Sequence, residues 1–231
     1  MGYIYEFDKN KCWWRFSCPL YGDEKECTPS CLRYVKMHYL VTQSLLTEKQ
    51  QCPKKLFPEA VDVDAFRHLS KIKDNIVEWV ADGNNLMIWS QINGNGKTAF
   101  SVKLLLSYLA NIWVSSDFQT RALFINVTRF LTGLKDSISI DSEYVNHIKD
   151  TVLLADLVVW DDIGIKNLTG FEHDYLYTYI NNRIDNGKAN IFTANLTGTD
   201  LREAVGDRLY SRIVNGSDVV QFKGADRRGL Q

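Results

Sequence analysis

Lys97 and Thr98 follow directly on Gly94-Asn95-Gly96, and Asp161 and Asp162 stand side by side at the end of a later apolar run. These residue types, in this order, suit a polyphosphate and its metal ion. A lysine ammonium can reach the β- and γ-phosphates, and a threonine hydroxyl can ligate Mg²⁺. Glycines let backbone N–H groups curl round the phosphates, and a following helix presents its partial positive charge to them. Asn93, Gly94, Asn95, Gly96, Lys97, Thr98 and Ala99 are the candidate cradle. Of the paired carboxylates, Asp161 would hold the Mg²⁺ shell and Asp162 would polarise an attacking water. Adjacent like charges repel, and a bound cation is the simplest thing that makes them tolerable.

The pattern departs from G-x-x-x-x-G-K-[ST] at its entry, where Gln91 stands in place of glycine. The competing readings are plain: a glycine-bearing surface turn for 91–98, and a solvated strand end for Asp161 and Asp162. The elements around them weigh against both. Leu86-Met87-Ile88-Trp89 reads as a buried strand before the loop. Ala99, Val102, Leu105, Leu106, Leu109 and Trp113 read as a helix after it, the strand, loop and helix order that gives such a motif meaning. Further strands are expected at 122–127, 156–161 and 190–195, with a last one at 218–222. Helices are expected between them, near 128–135, 143–154, 171–186 and 197–205. One amphipathic helix is expected from Asp62 to the turn at Gly83, through Val63, Phe66, Leu69, Ile72, Ile76 and Trp79. Alternating strands and helices imply a parallel sheet whose strand carboxyl ends line the ligand crevice. Asn195, at such an end, would stand beside the γ-phosphate; its alternative role is to cap the next helix.

The chain has 231 residues, 45% apolar, enough for one main domain and a small appendage. A net charge of −1 excludes a generally basic nucleic-acid binder; residues 1–58 carry nine Lys/Arg against six Asp/Glu. No stretch has the length and purity of a membrane span, and the first residues lack a signal peptide's pattern. An intracellular, cytoplasmic protein is therefore expected. All five cysteines fall within the first 52 residues. In a reducing compartment this points to metal. Cys12, Cys18, Cys27 and Cys31 are the expected Zn²⁺ ligands, with His38 or Cys52 as substitutes; the alternative is free cysteines packed as small apolar groups. The expected division is a zinc-binding module at 1–58 and a nucleotide-binding domain at 59–231.

Taken together, the chain resembles the AAA+ helicase loaders of the DnaC/DnaI type, close to the IstB-like ATPases. The resemblance covers roughly 60–230. It rests on Gly94-Asn95-Gly96-Lys97-Thr98, Trp160-Asp161-Asp162-Ile163-Gly164, Phe192-Thr193-Ala194-Asn195, Gly206-Asp207-Arg208-Leu209-Tyr210-Ser211-Arg212-Ile213 and Gly224-Ala225-Asp226-Arg227-Arg228. It implies an α/β P-loop AAA+ domain with a five-stranded parallel sheet. It also implies ATP/ADP and Mg²⁺ as cofactors, Asn195 as first sensor, Arg212 as an arginine finger and Arg228 (or Arg227) as second sensor. Where many relatives carry glutamate this chain has Asp162, one methylene shorter, so slow, switch-like hydrolysis is expected.

The resemblance further implies a hexameric replicative helicase as partner, gripped by residues 1–58 and placed on single-stranded DNA, with ATP-dependent self-association. The short N-terminal module suggests a phage or prophage version. An IstB-like ATPase assisting transposition is the alternative function. A P-loop kinase is the third; against it, no second substrate pocket is legible, and Arg208 and Arg212, four apart on one helical face, suggest action between subunits.

Overall fold

In this computed structural model the described residues are 5–52, 56–136, 142–164, 168–196 and 198–227. Five short strands form one parallel sheet: β1 (Asn85–Trp89), β2 (Ala122–Asn126), β3 (Leu157–Asp161), β4 (Ala189–Ala194) and β5 (Asp218–Gln221). Their order across the sheet is β2-β3-β4-β1-β5, and every pairing is parallel. The strand carrying the phosphate loop is thus interior to the sheet, between β4 and the edge strand β5.

The helices are α1 (Leu32–Gln43), α2 (Glu48–Gln51), α3 (Val63–Asp74), α4 (Ile76–Ala81), α5 (Lys97–Ile112), α6 (Val127–Asp136) and α7 (Glu143–Thr151). They continue with α8 (Gly170–Asp185), α9 (Gly198–Val205) and α10 (Asp207–Tyr210), after which a π-helical turn covers Ser211–Asn215. Parallel strands need crossovers, and the helices cover both faces. Leu86 and Ile88 of β1 pack on one face with Phe66 of α3 and Leu104, Leu105 and Leu109 of α5. Met87 points the other way, toward Phe130, Leu176 and Leu209, as the two-residue alternation of a strand requires. Met37, Leu40 and Val41 of α1 belong to the first cluster, and Ser44 accepts the N–H of Phe124 at 2.8 Å through its carbonyl. The segment after Cys31 is therefore packed on the sheet.

The sequence pattern from Asp62 to Gly83 predicts a single helix; the chain forms two. Asn75 leaves the helical region (φ −114°, ψ 26°) and its N–H caps the carbonyls of Lys71 and Ile72. The apolar spacing carries across the break, so periodicity alone does not reveal it. The expected helix at 197–205 is present as α9, although Thr197 lies outside the described residues.

The amino ends of the strands are fixed tightly. A Cβ on Gly83, just before β1, would overlap the carbonyl of Gly187, just before β4. Arg183 is 1% exposed, and its guanidinium donates to the carbonyls of Val152, Ala155, Asp156 and Ala189 and to Asn190 Oδ1, at 2.6–3.3 Å. Trp160 Nε1 donates to the same Asn190 oxygen at 3.1 Å. No helix of the described residues is long and apolar enough to cross a membrane.

Candidate nucleotide site

The loop leaving β1 turns through Gly94 (φ 73°) and Gly96 (φ 108°), left-handed values that favour glycine. Gln91 is not among the residues with positive φ, which are Leu45, Phe118 and Asp162 among the described non-glycines. The loop therefore does not need glycine at its entry. Ser90 braces the inside of the turn: its hydroxyl accepts from Asn95 Nδ2 at 2.6 Å and from the Ile92 N–H at 3.0 Å. Lys97, the first residue of α5 and 5% exposed, turns its ammonium back across the loop. Lys97 Nζ donates to Ile92 O at 3.0 Å, and to Ser90 O and Asn95 Oδ1 at 3.4 Å.

One residue farther along α5, Thr98 Oγ1 donates to Asp161 Oδ1 at 2.9 Å. Asp161 ends β3 and is 3% exposed. Thr193 Oγ1, from β4, donates to the same Oδ1 at 2.7 Å, and Asn126, its register partner on β2, also hydrogen-bonds to it. Burial above all, and then the charge of Asp162, push the Asp161 carboxyl up to about 6 against the pull of these three donors. A desolvated carboxylate beside a second one, with a threonine hydroxyl 2.9 Å away, is a donor set that fits Mg²⁺. Asp162 adopts φ 61°, and Asn195 Nδ2 donates to its Oδ1 at 3.4 Å. The structure thus gathers Thr98, Asp161, Asp162 and Asn195 at the carboxyl ends of β3 and β4, where an open α/β sheet binds ligands.

The C-terminal segment reaches the same loop. The Arg227 N–H donates to Gly94 O at 3.1 Å. Its guanidinium pairs with Glu59 at 3.5 Å and also donates to Phe57 O. Asp62, fully buried, accepts the N–H groups of Lys223 at 2.7 Å and Gly224 at 3.0 Å. Arg228 lies outside the described residues.

Arg212 is held elsewhere, on the π-helical turn, 40% exposed and 3.7 Å from Asp185 of α8. Arg208 lies 4.6 Å over the Tyr177 ring. Asn126 and Thr193 are the site residues that sequence reasoning missed. Thr193 lies within the quoted 192–195 run, but its contact follows from β3–β4 register.

Cys12, Cys18, Cys27 and Cys31 line one pocket of about 390 Å³. Burial first, and then Cys31, Cys27 and Cys18 nearby, push the Cys12 thiol up against a backbone hydrogen bond at Trp14. Yet among the described residues no group of three or more histidine, cysteine or acidic side chains is close enough to hold a metal ion. The expected tetrahedral site is not formed at this spacing.

Sheet order, phosphate loop and paired carboxylates define a P-loop α/β domain of the AAA+ class. A family profile describing the bacterial DnaA ATPase domain matches residues 54–220, and the chain belongs to that family. A comparison with curated proteins finds no match. Among solved structures, the fold is shared with the DnaC helicase loader at TM-score 0.60 and 18% identity, over 77% of this chain and 100% of that one. DnaI matches at TM-score 0.57 and 15% identity, over 80% and 95%. AMPPCP-bound DnaA from Aquifex aeolicus matches at TM-score 0.58 and 17% identity, over 80% of this chain and 53% of that one.

Proposed function

We propose that the chain is an ATP-dependent helicase loader of DNA replication, acting in the cytoplasm. The observation that carries this reading is the convergence of Thr98 on Asp161 beside Asp162 and Asn195. Support for the loader role comes from the shared fold of the DnaC helicase loader, matched over its whole length. In this reading Lys97 exchanges its loop carbonyls for the β- and γ-phosphates, and the N–H groups of 93–99 cradle them. Thr98 and Asp161 hold Mg²⁺, which when bound neutralises charge on the phosphate oxygens. Asp162 orients the attacking water and Asn195 reports on the γ-phosphate. Arg212 reaches a neighbouring subunit's nucleotide when ATP drives self-association, and Arg228 or Arg227 acts as second sensor.

The same proposal gives residues 1–58 the task of gripping a hexameric helicase, which the ATPase part, 59–231, places on single-stranded DNA. The test is co-purification with a replicative helicase, alongside Mg²⁺-ATP hydrolysis with single-stranded or duplex DNA. Helicase capture, with hydrolysis stimulated by single strands and abolished by Lys97→Ala, is the expected result. Stimulation by duplex DNA alone, with no helicase bound, would overturn it in favour of the transposition reading.

A further inference from the structure

Thr193 is fully buried on β4, and its hydroxyl and carbonyl engage three consecutive residues at and just past the end of β3. Its hydroxyl donates to Asp161 Oδ1 at 2.7 Å and accepts the N–H of Asp162 at 2.9 Å. Its carbonyl accepts the N–H of Ile163 at 2.9 Å. The middle residue of that trio has φ 61°, a left-handed conformation that a residue with a Cβ adopts only where surrounding contacts enforce it. Thr193 supplies two contacts to this turn, at the Asp162 and Ile163 N–H groups. Two residues on, just past the end of β4, Asn195 meets the Asp162 carboxylate.

We propose that Thr193 is a positioning residue for hydrolysis: its hydroxyl fixes Asp162 relative to Asp161, so that the water-orienting and metal-holding carboxylates keep one geometry. The inference rests on the ATPase reading above. A hydroxyl is required because the position must donate to a carboxylate and accept from an amide at once. Valine has the same shape and can do neither, whereas serine can do both. A purely structural threonine would support the fold and the nucleotide-binding loop equally. The bridge described here bears on the carboxylate pair and meets the phosphate cradle only at one remove, through the Asp161 oxygen it shares with Thr98.

The experiment compares wild type, Thr193→Val and Thr193→Ser in the full chain, measuring kcat, KM for Mg²⁺-ATP and affinity for a fluorescent ADP analogue. Thr193→Val is expected to lower kcat by roughly 10- to 100-fold, the scale of a misplaced catalytic group. Affinity for the ADP analogue measured without Mg²⁺ should stay within about twofold of wild type, because the loop's own contacts are unchanged. Thr193→Ser should recover most of kcat. An unchanged kcat in Thr193→Val, or equal losses in the valine and serine variants, would overturn the proposal. If the valine variant does not fold, Thr193→Cys, close in size with only a weak S–H donor, takes its place with the same two outcomes. Wild-type protein inactive on Mg²⁺-ATP under every DNA condition would instead refute the ATPase reading itself.

Discussion

The backbone N–H of Arg227 donates to the carbonyl of Gly94 at 3.1 Å, tying the last described residue to the centre of the phosphate loop. Behind this link, Asp62 receives the Lys223 and Gly224 amides. The start of α3, the C-terminal segment and the loop therefore form one connected unit. A Cβ on Gly224 would lie 2.6 Å from Asp62 Oδ2 and 3.0 Å from Glu59 Cδ. Gly224→Ala should push the segment off Asp62 and loosen Gly94, weakening ATP affinity by roughly tenfold, about 1.4 kcal/mol. Titration with a fluorescent nucleotide checks this, and an affinity equal to wild type would show that the segment and the loop are uncoupled.

Asp161 should cost the metal-free protein stability at neutral pH. Its carboxyl is held near 6 in the fold against an ordinary 3.8. The folded state thus keeps this proton when the unfolded chain has lost it. Stability consequently falls as pH rises from 3.8 to about 6 and levels off above, by about 3 kcal/mol at most. Asp161→Asn should therefore raise Tm at pH 7.5 in the absence of magnesium, with the gain vanishing near pH 4. The same variant should lose Mg²⁺-dependent hydrolysis. A Tm at pH 7.5 no higher than wild type would mean that the Thr98, Thr193 and Asn126 donors offset the burial entirely.

Arg183 is a candidate for the largest single loss of stability. Burial pulls its guanidinium down to about 9 while Asp156 pushes it back, so it stays charged at neutral pH. Arg183→Met would leave five acceptors, four of them backbone carbonyls, without their buried donor. A loss of about 3–5 kcal/mol is expected in a urea titration. A loss under 1 kcal/mol would show that water replaces the guanidinium freely.

Arg212→Ala should still bind ATP but lose hydrolysis, since the cation would act on a neighbouring subunit. The ion pair it forms with Asp185 is exposed and weak, so stability should change by less than about 1 kcal/mol. Mixing this variant with Lys97→Ala should restore part of the activity, because some interfaces then pair an intact loop with an intact arginine. Co-assembly without recovery would return Arg212 to a solvated helix residue.

The parts of the site that lie on contiguous residues were legible in the sequence. Gly94 through Thr98 and Asp161-Asp162 declare their chemistry by type and spacing, and the strands that carry them are short apolar runs. Asn195 was reached by a weaker argument, that polar residues at strand carboxyl ends face a crevice. Thr193 and Asn126 escaped because their contacts depend on which strand lies beside which. That order, β2-β3-β4-β1-β5, is not written in local periodicity. The break at Asn75 escaped for the opposite reason, since the apolar stripe continues across it. The cysteines show the limit of spacing alone: they face one pocket, as clustering suggests, without the convergence that ligation demands.

The backbone abutment of Gly83 on Gly187 has a mechanical consequence. With Arg183 binding the adjoining carbonyls, it makes the amino-terminal edge of the sheet a fixed clamp, with almost no slack in β1, β3 or β4. From that clamp β1 and β4 stay laddered to their carboxyl ends, Asn85 against Asn190 through Trp89 against Ala194, and the Ser90 N–H still reaches the Ala194 carbonyl. The phosphate loop leaves one of these strands, and Thr193 and Asn195 stand at the end of the other, so the two halves of the site are carried on one frame rather than on two independent supports.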